Sequence, residues 1–160
     1  MRKIKATIQF TSPCLANMPI GGGEPTADKF DRDCEDRIII RPNCLESAVH
    51  KTLKFSEFEH IRASDVIIAP EIDTTTRLWK RNYTSHGARK SRTHEMIPQD
   101  QRCTLELAVA THVNAAQARE FLVALGKFVG ISPFGHNMGF GRFTLINVVD
   151  ETEPVQGVEK

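Results

Sequence analysis

The chain has 160 residues, 40% of them hydrophobic and 26% charged, and its 21 basic and 20 acidic side chains leave a formal net charge of +1. This composition is typical of one globular domain and excludes a chain that is disordered throughout. No stretch approaches the apolar length of a membrane span, and the N-terminus lacks the apolar core of a signal peptide. We therefore expect a cytoplasmic protein with no membrane partner.

The first third of the chain contains a strand, a long loop and a helix. Residues 3–11 alternate between apolar and polar side chains and predict a strand. Residues 12–36 contain three prolines, three consecutive glycines and six acids, which predict a long mobile loop. A short extended stretch over residues 37–41 leads into a helix, and Asn43 with Glu46 is expected to cap the first turn of that helix.

Three more strands follow. The β-branched run 65–70 predicts a short buried strand, and residues 102–113 alternate along their whole length. Residues 142–149 predict the last strand, and three of its apolar side chains are expected to share one face: Phe143, Leu145 and Val149.

A second helix separates the last two of these strands. Asn114 is its expected N-cap, with Gln117 completing a capping box, and the apolar stripe ends before Gly130.

The order strand, helix, strand, strand, helix, strand predicts an α+β fold of the ferredoxin-like (RRM-like) βαββαβ type. In that fold an antiparallel sheet carries both helices on one face. We expect one domain over residues 1–149 and a disordered acidic tail over residues 150–160. Residues 71–101, between the second and third strands, are expected to project as an extended arm.

Positive charge is concentrated in this arm. Residues 74–94 contain six basic residues and no acid, whereas the rest of the chain carries 15 basic and 20 acidic residues. They also contain the only Trp and the only Tyr, whose rings are surfaces on which a nucleobase can stack. The residues predicted to bind a nucleic-acid strand are Arg77, Trp79, Lys80, Arg81, Tyr83, Arg89, Lys90 and Arg92.

A glycine-rich connection over residues 130–143 is the second candidate binding element. Glycines permit positive φ and close backbone approach, and backbone amides in such a loop can surround a phosphate. The candidate contacts are His136, Asn137, Gly139, Gly141 and Arg142. We expect the arm and this loop to lie side by side and to form one continuous positive surface.

Two segments carry a resemblance to a known family. Gly139-Phe140-Gly141 before a strand, with Gly130 at the end of the last helix, resembles the C-terminal glycine-rich loop of the RAMP superfamily of CRISPR-associated proteins. The stretch Ile38–Leu45 is similar to the helix entry of the backbone-forming RAMP proteins, and small phage and prophage proteins share both features. The resemblance implies a protein that binds single-stranded RNA and assembles with copies of itself or with related subunits, head to tail.

The same resemblance implies an alternative, because RAMP-type processing endoribonucleases are metal-independent and commonly use a histidine on or near the first helix. His50 is the corresponding candidate, with Lys51 and Lys54 beside it. A third alternative is a phage-type protein-interaction module.

Neither a metal nor a cofactor is expected. The six histidines include no His-x-x-x-His pair, and no phosphate-binding Gly-x-x-x-x-Gly-Lys-Ser/Thr element is present. The four cysteines include no Cys-x-x-Cys pair, and we expect mostly buried, reduced thiols.

Overall fold

The computed structural model describes residues 1–17 and 28–151. In chain order the elements are β1 (Arg2–Phe10), β2 (Cys14–Leu15), β3 (Asp31–Arg32), β4 (Ile38–Ile39), α1 (Pro42–Thr52), β5 (Val66–Glu71), β6 (Arg77–Ser85), β7 (Ala88–Ile97), β8 (Arg102–Val109), α2 (Ala115–Ala124) and β9 (Phe143–Asp150).

The four strands predicted from the sequence form one sheet. Its strand order is β5-β8-β1-β9, and every neighbouring pair is antiparallel. β8 ends at Val109, four residues before the predicted end, because a turn follows in which the Val113 amide donates to the Ala110 carbonyl oxygen. Val113 is nevertheless buried.

One face of this sheet is buried under both helices. Its inward side chains, such as Ile8 and Leu107, belong to a single apolar cluster with Val49 of α1 and with Phe121 and Leu122 of α2. The fold is therefore mixed α/β, with antiparallel sheets and two helices.

The two helices begin in different ways. Asn114 caps α2 as predicted: its side-chain oxygen accepts from the Gln117 amide, and the Asn114 amide donates to the Gln117 side-chain oxygen. The predicted cap of α1 by Asn43 is wrong, because Pro42 occupies the first helical turn and Arg41 is the N-cap residue. Proline suits that position because its missing N–H would have no helical partner.

The predicted side-chain pattern of the last strand fails at one residue. The register of β9 against β1 shifts between Thr7 and Ile8, so Ile146 is an extra residue, as in a β-bulge. Beyond the bulge the two faces exchange, and Val148 packs on the core whereas Val149 is 51% exposed. The expectation that Val149 shares the face of Phe143 is therefore wrong.

The predicted mobile loop over residues 12–36 is ordered at both described ends. β2 pairs with β7, and Cys14 and Leu15 are fully buried, while β3 pairs with β4. The middle of that loop, residues 18–27, lies outside the described residues, and so does the predicted disordered tail beyond Glu151. Two-residue strands give no periodic signal, and composition alone therefore suggested mobility.

The four thiols are free, and two of them are buried. Burial raises the pKa of Cys103 to about 12 and also raises the pKa of Cys14, so both thiols stay protonated and unreactive. Within the described part of the chain, no helix combines the length and apolar character needed to cross a bilayer.

Candidate nucleic-acid interface

The predicted arm is a two-stranded ribbon formed by β6 and β7. The strands pair from Arg77 opposite Met96 to Ser85 opposite Ala88. The turn between them is His86-Gly87, and both residues have positive φ, at 51° and 78°. Such a two-residue turn matches the natural twist of a hairpin and keeps the strands in register.

The ribbon has two chemically different faces, because side chains alternate along a strand and directly paired residues share a face. We call the first the aromatic face; its members are Arg77, Trp79, Arg81, Tyr83, Lys90, Arg92 and His94. We call the second the polar face; its members are Leu78, Lys80, Asn82, Thr84, Arg89, Ser91 and Thr93. The expectation of one continuous positive track is therefore wrong in part, since Lys80 and Arg89 lie on the face opposite to the other cations.

The aromatic face lies against the glycine-rich loop. The rings of Trp79 and Phe140 meet edge to face with centroids 5.9 Å apart. The Arg81 guanidinium stands 4.8 Å from the ring centroid of Phe134 and 4.6 Å from that of Tyr83. Trp79 is half-buried, so part of its ring remains open to solvent. The arm and the loop are thus neighbours, as the sequence predicts.

A buried polar cluster holds the base of the ribbon. Asp28 is 2% exposed, and one of its carboxylate oxygens lies 2.6 Å from Nε of Arg92. His94 is fully buried; its Nδ1–H donates to the Ala16 carbonyl oxygen at 2.8 Å, and its ring packs on Phe134. Burial lowers the pKa of His94 despite the nearby Asp28 carboxylate, so the imidazole is neutral at pH 7. This cluster ties residues 16 and 28 to the ribbon and neutralises one of its six cations.

A second ion pair fixes the polar side of the same base. Glu95 accepts hydrogen bonds from Arg32, from Thr76 and from the Phe30 amide. Burial favours the protonated form of Glu95, but these hydrogen bonds outweigh it and lower the pKa of that carboxyl group. These hydrogen bonds therefore hold the base of the ribbon in a fixed position.

Two glycines of the loop have different surroundings: Gly141 is closely packed against the backbone, whereas Gly139 is open. A Cβ atom on Gly141 would lie 2.3 Å from the Ser132 amide nitrogen, and the Gly141 amide donates to the Pro13 carbonyl oxygen. That amide is consequently not free for a phosphate. Gly139 has φ +89° and no heavy atom within 4 Å of an added Cβ, so this part of the loop is open.

The remaining loop candidates have different surroundings. His136 and Asn137 lie in a single 3₁₀ turn, and the Asn137 side-chain oxygen accepts a hydrogen bond from the Lys51 ammonium at 2.6 Å. The Arg142 guanidinium donates to the Lys127 carbonyl oxygen, which turns it toward the end of α2. Lys51 therefore joins the loop, whereas Arg142 supports the chain beneath it.

His50, Lys51 and Lys54, the candidates for the alternative endoribonuclease site, lie in three different environments. His50 lines an apolar groove of about 470 Å³ between α1 and β5. Lys51 reaches Asn137 of the glycine-rich loop, and Lys54 is exposed beyond the end of α1. No described side chain donates to or accepts from His50, and within the described ranges no group of three or more His, Cys, Asp or Glu side chains is arranged to hold a metal ion.

Sequence reasoning missed the residues that join the two elements. Phe134 and Phe140 of the loop contact the ribbon, and Asp28 with His94 anchors its base. The period-two pattern places His94 on the face of Trp79, which was an available signal for that residue. Phe134, Phe140 and Asp28 contact residues that are distant in the chain, and such contacts leave no local sequence pattern.

Comparison with known proteins finds a similar fold but identifies no activity. No protein-family model matches this chain significantly, and neither does any curated protein sequence. Among solved structures the chain is similar to one in the "Cryo-EM structure of the Type III-B Cmr-beta bound to cognate target RNA", with a TM-score of 0.61 and 12% identity. The match covers 92% of this chain and 60% of the other, so this protein spans less than two thirds of the length of that chain. At this identity the likeness concerns the fold alone.

Proposed function

We propose that this protein binds single-stranded nucleic acid, with RNA favoured, along the aromatic face of the ribbon and the adjoining glycine-rich loop. The observation that carries the proposal is the contact of Trp79 with Phe140, which joins the stacking residues of the ribbon to the loop. A strand-binding surface needs both cations for the phosphates and aromatic rings for the bases. Both are present here within one patch.

The cations of the ribbon supply the electrostatic part. On the aromatic face, Arg77 and Lys90 are exposed, and no acid lies between residues 74 and 94. The Arg81 guanidinium lies over the rings of both Tyr83 and Phe134, at centroid distances below 5 Å. A guanidinium fixed in this way loses little side-chain freedom when a base or a phosphate binds to it.

The fold supports a RAMP-like, ferredoxin-like assignment. The four-stranded sheet has, in chain order, the strands β1, β5, β8 and β9. Numbered in that order, they lie in the sheet as second, third, first, fourth, and both helices cover one face. A strand order of this kind brings the connection between the second and third strands, which is the ribbon, to one end of the sheet. The similar solved structure is bound to its cognate target RNA, which favours RNA as the ligand here.

Fluorescence anisotropy with a labelled single-stranded RNA, and with DNA of the same sequence, tests the proposal. The double variant Arg77→Ala, Lys90→Ala removes two exposed cations of the aromatic face and should weaken binding about 10-fold or more at low salt. The matched control is Arg119→Ala, Lys127→Ala, which removes two exposed cations from the region of α2 and should leave affinity unchanged. Equal losses in both variants, or no binding by the unaltered protein, would refute the proposal.

A further inference from the structure

A groove follows the junction of α2 with β9, the strand at one edge of the main sheet. α2 is continued by a π-helical turn, Leu125–Val129. The groove has a volume of about 370 Å³; helical residues form one side of it and residues 143–145 of β9 form the other. A second hollow of about 300 Å³ shares three helical residues with it, so the depression continues across the outer face of the helix. We call the part beside β9 the α2 groove.

Close packing fixes the floor of the α2 groove. Gly126 of the π turn lies so near β9 that a Cβ atom on it would collide with the carbonyl oxygen and the ring of Phe143. At the end of the helix, the ring of Phe128 meets that of Phe55 edge to face, with centroids 5.4 Å apart. The helix and the strand therefore touch directly at this point, and the groove runs along their contact.

The helix presents a regular stripe of side chains to the α2 groove. Arg119, Val123 and Lys127 are spaced four residues apart, so their side chains lie on one face of the helix, and all three line the groove. All three are exposed, Val123 to 46%. At a rise of 1.5 Å per residue, the two cations stand about 12 Å apart along the helix axis, with the valine midway between them.

The charges of this stripe are not paired within the described residues. Among residues 1–17 and 28–151, no acidic side chain forms an ion pair with Arg119 or Lys127. The Lys127 ammonium lies 5.3 Å from the ring centroid of Phe128, which is 52% exposed. None of the described residues that line the α2 groove is acidic, and Thr11 and Thr144 add two exposed hydroxyl groups. The groove therefore offers positive charge, hydroxyl donors and apolar surface.

This surface fits a protein segment better than a nucleic-acid strand. Its apolar centre is aliphatic, with Val123 on the helix and the half-buried Leu145 on β9. Such a centre suits an aliphatic side chain, whereas a nucleobase needs a flat ring on which to stack. Phe128 is the ring at this face, and the Lys127 ammonium lies over it. A surface with cations at both ends and an aliphatic centre is complementary to an acidic segment with an aliphatic residue in its middle.

We propose that the outer face of α2 docks an acidic amphipathic helix of a partner protein, whose carboxylates pair with Arg119 and Lys127 and whose aliphatic side chain packs on Val123. A helix that carries acid, aliphatic residue and acid at the same four-residue spacing matches the stripe residue by residue. Glu57 and Glu120 line the adjoining hollow, so the carboxylates of the partner are expected on the β9 side. The contact is small, so binding is expected to be weak. Nothing in this contact requires nucleic-acid binding.

A titration followed by amide NMR spectra tests a contact of this strength. The probe is a synthetic, alanine-based helical peptide that carries two glutamates with a leucine midway between them, at four-residue spacing. Its addition to isotope-labelled protein should shift the amide signals of α2, of the π turn and of residues 143–145. Peptides in which glutamine replaces both glutamates, or alanine replaces the leucine, should each bind about 10-fold more weakly.

Reversing the charges of the stripe tests which residues carry the contact. Arg119→Glu, Lys127→Glu should lose binding of the acidic peptide and gain binding of a peptide with lysines in place of its glutamates. The matched control Lys29→Glu, Arg62→Glu reverses two exposed cations that do not line the groove and should bind the acidic peptide as the unaltered protein does. Circular dichroism checks that each variant folds, and Arg119→Gln, Lys127→Gln replaces the charge reversal if that variant does not.

Four results would overturn the inference. The first two are an acidic peptide that shifts no signal and equal losses in the charge-reversed and control variants. Single-stranded RNA that displaces the peptide from α2 would assign this face to nucleic acid. A peptide that binds only after removal of residues 152–160, which include Glu153 and Glu159, would identify that segment as the occupant. RNA binding by the ribbon is measured separately by anisotropy, so either proposal can fail without the other.

Discussion

Replacing Trp79 with alanine separates the binding role of this ring from its structural role. Trp79 is half-buried, and its described ring contact is the edge-to-face pair with Phe140. Losing one such pair costs about 0.5–1.5 kcal/mol of folding free energy, in addition to the apolar area that the half-buried ring covers. Losing one stacked base costs about 1–3 kcal/mol of binding free energy, which lowers affinity about 5- to 150-fold.

Two measurements on the same variant are therefore needed. Urea unfolding should show a small loss of stability and a retained native state, whereas anisotropy should show the larger loss of affinity for single-stranded RNA. Trp79→Phe keeps a stacking ring, so its affinity should lie between those of the unaltered protein and of Trp79→Ala. Phe128→Ala removes a 52% exposed ring near the end of α2 and should leave affinity unchanged. Unchanged affinity in folded Trp79→Ala would assign the ring to packing alone and refute the stacking argument.

Three further outcomes follow from particular contacts. Gly141→Ala places a Cβ 2.3 Å from a backbone nitrogen at φ +72° and should lower the free energy of unfolding in urea by about 2–5 kcal/mol. The added Cβ of Gly139→Ala meets no atom, so this variant should lose about 1–2 kcal/mol. Equal losses in the two variants would contradict the packing described. The folded-state pKa of His94 lies below its ordinary value of 6.5, so the unfolded chain takes up this proton first and stability should fall as the pH drops below 6.5. His94→Gln should melt at a lower temperature at pH 7. Its stability should no longer depend on pH between the folded-state and unfolded-state pKa values of His94. An unchanged pH profile in this variant would show that another group is responsible. His50→Ala should bind RNA as the unaltered protein does, and cleavage of structured RNA in EDTA that disappears in this variant would instead establish the endoribonuclease alternative.

The sequence predicted the parts of the fold that depend on local periodicity. Alternation over residues 3–11 corresponds to β1, alternation over residues 102–113 corresponds in its first eight residues to β8, and the capping box at Asn114 corresponds to the start of α2. The ribbon was also predictable, because the basic segment has no helical period and joins the second and third strands of the predicted fold, β5 and β8, which pair directly as a hairpin does.

Other features depend on contacts between distant residues and left no local trace. Asp28 and Arg92 are 64 positions apart, and their ion pair neutralises a cation that the composition counts as free. The bulge at Ile146 arises from the pairing of β9 with β1, and it reverses the side-chain pattern after that residue. The close approach of Gly141 to Ser132 likewise follows from the path of the whole loop.

The salt dependence of single-stranded RNA binding tests the central claim most directly. Each phosphate neutralised on a single strand contributes about −0.7 to the slope of log affinity against log salt. Four of the six basic residues of the ribbon lie on the aromatic face, and one of these, Arg92, is paired with Asp28, which leaves Arg77, Arg81 and Lys90. The account predicts a slope of about −2 for the unaltered protein, reduced to about −0.7 in Arg77→Ala, Lys90→Ala. A slope near zero, or one that this double variant does not change, would contradict binding along the ribbon.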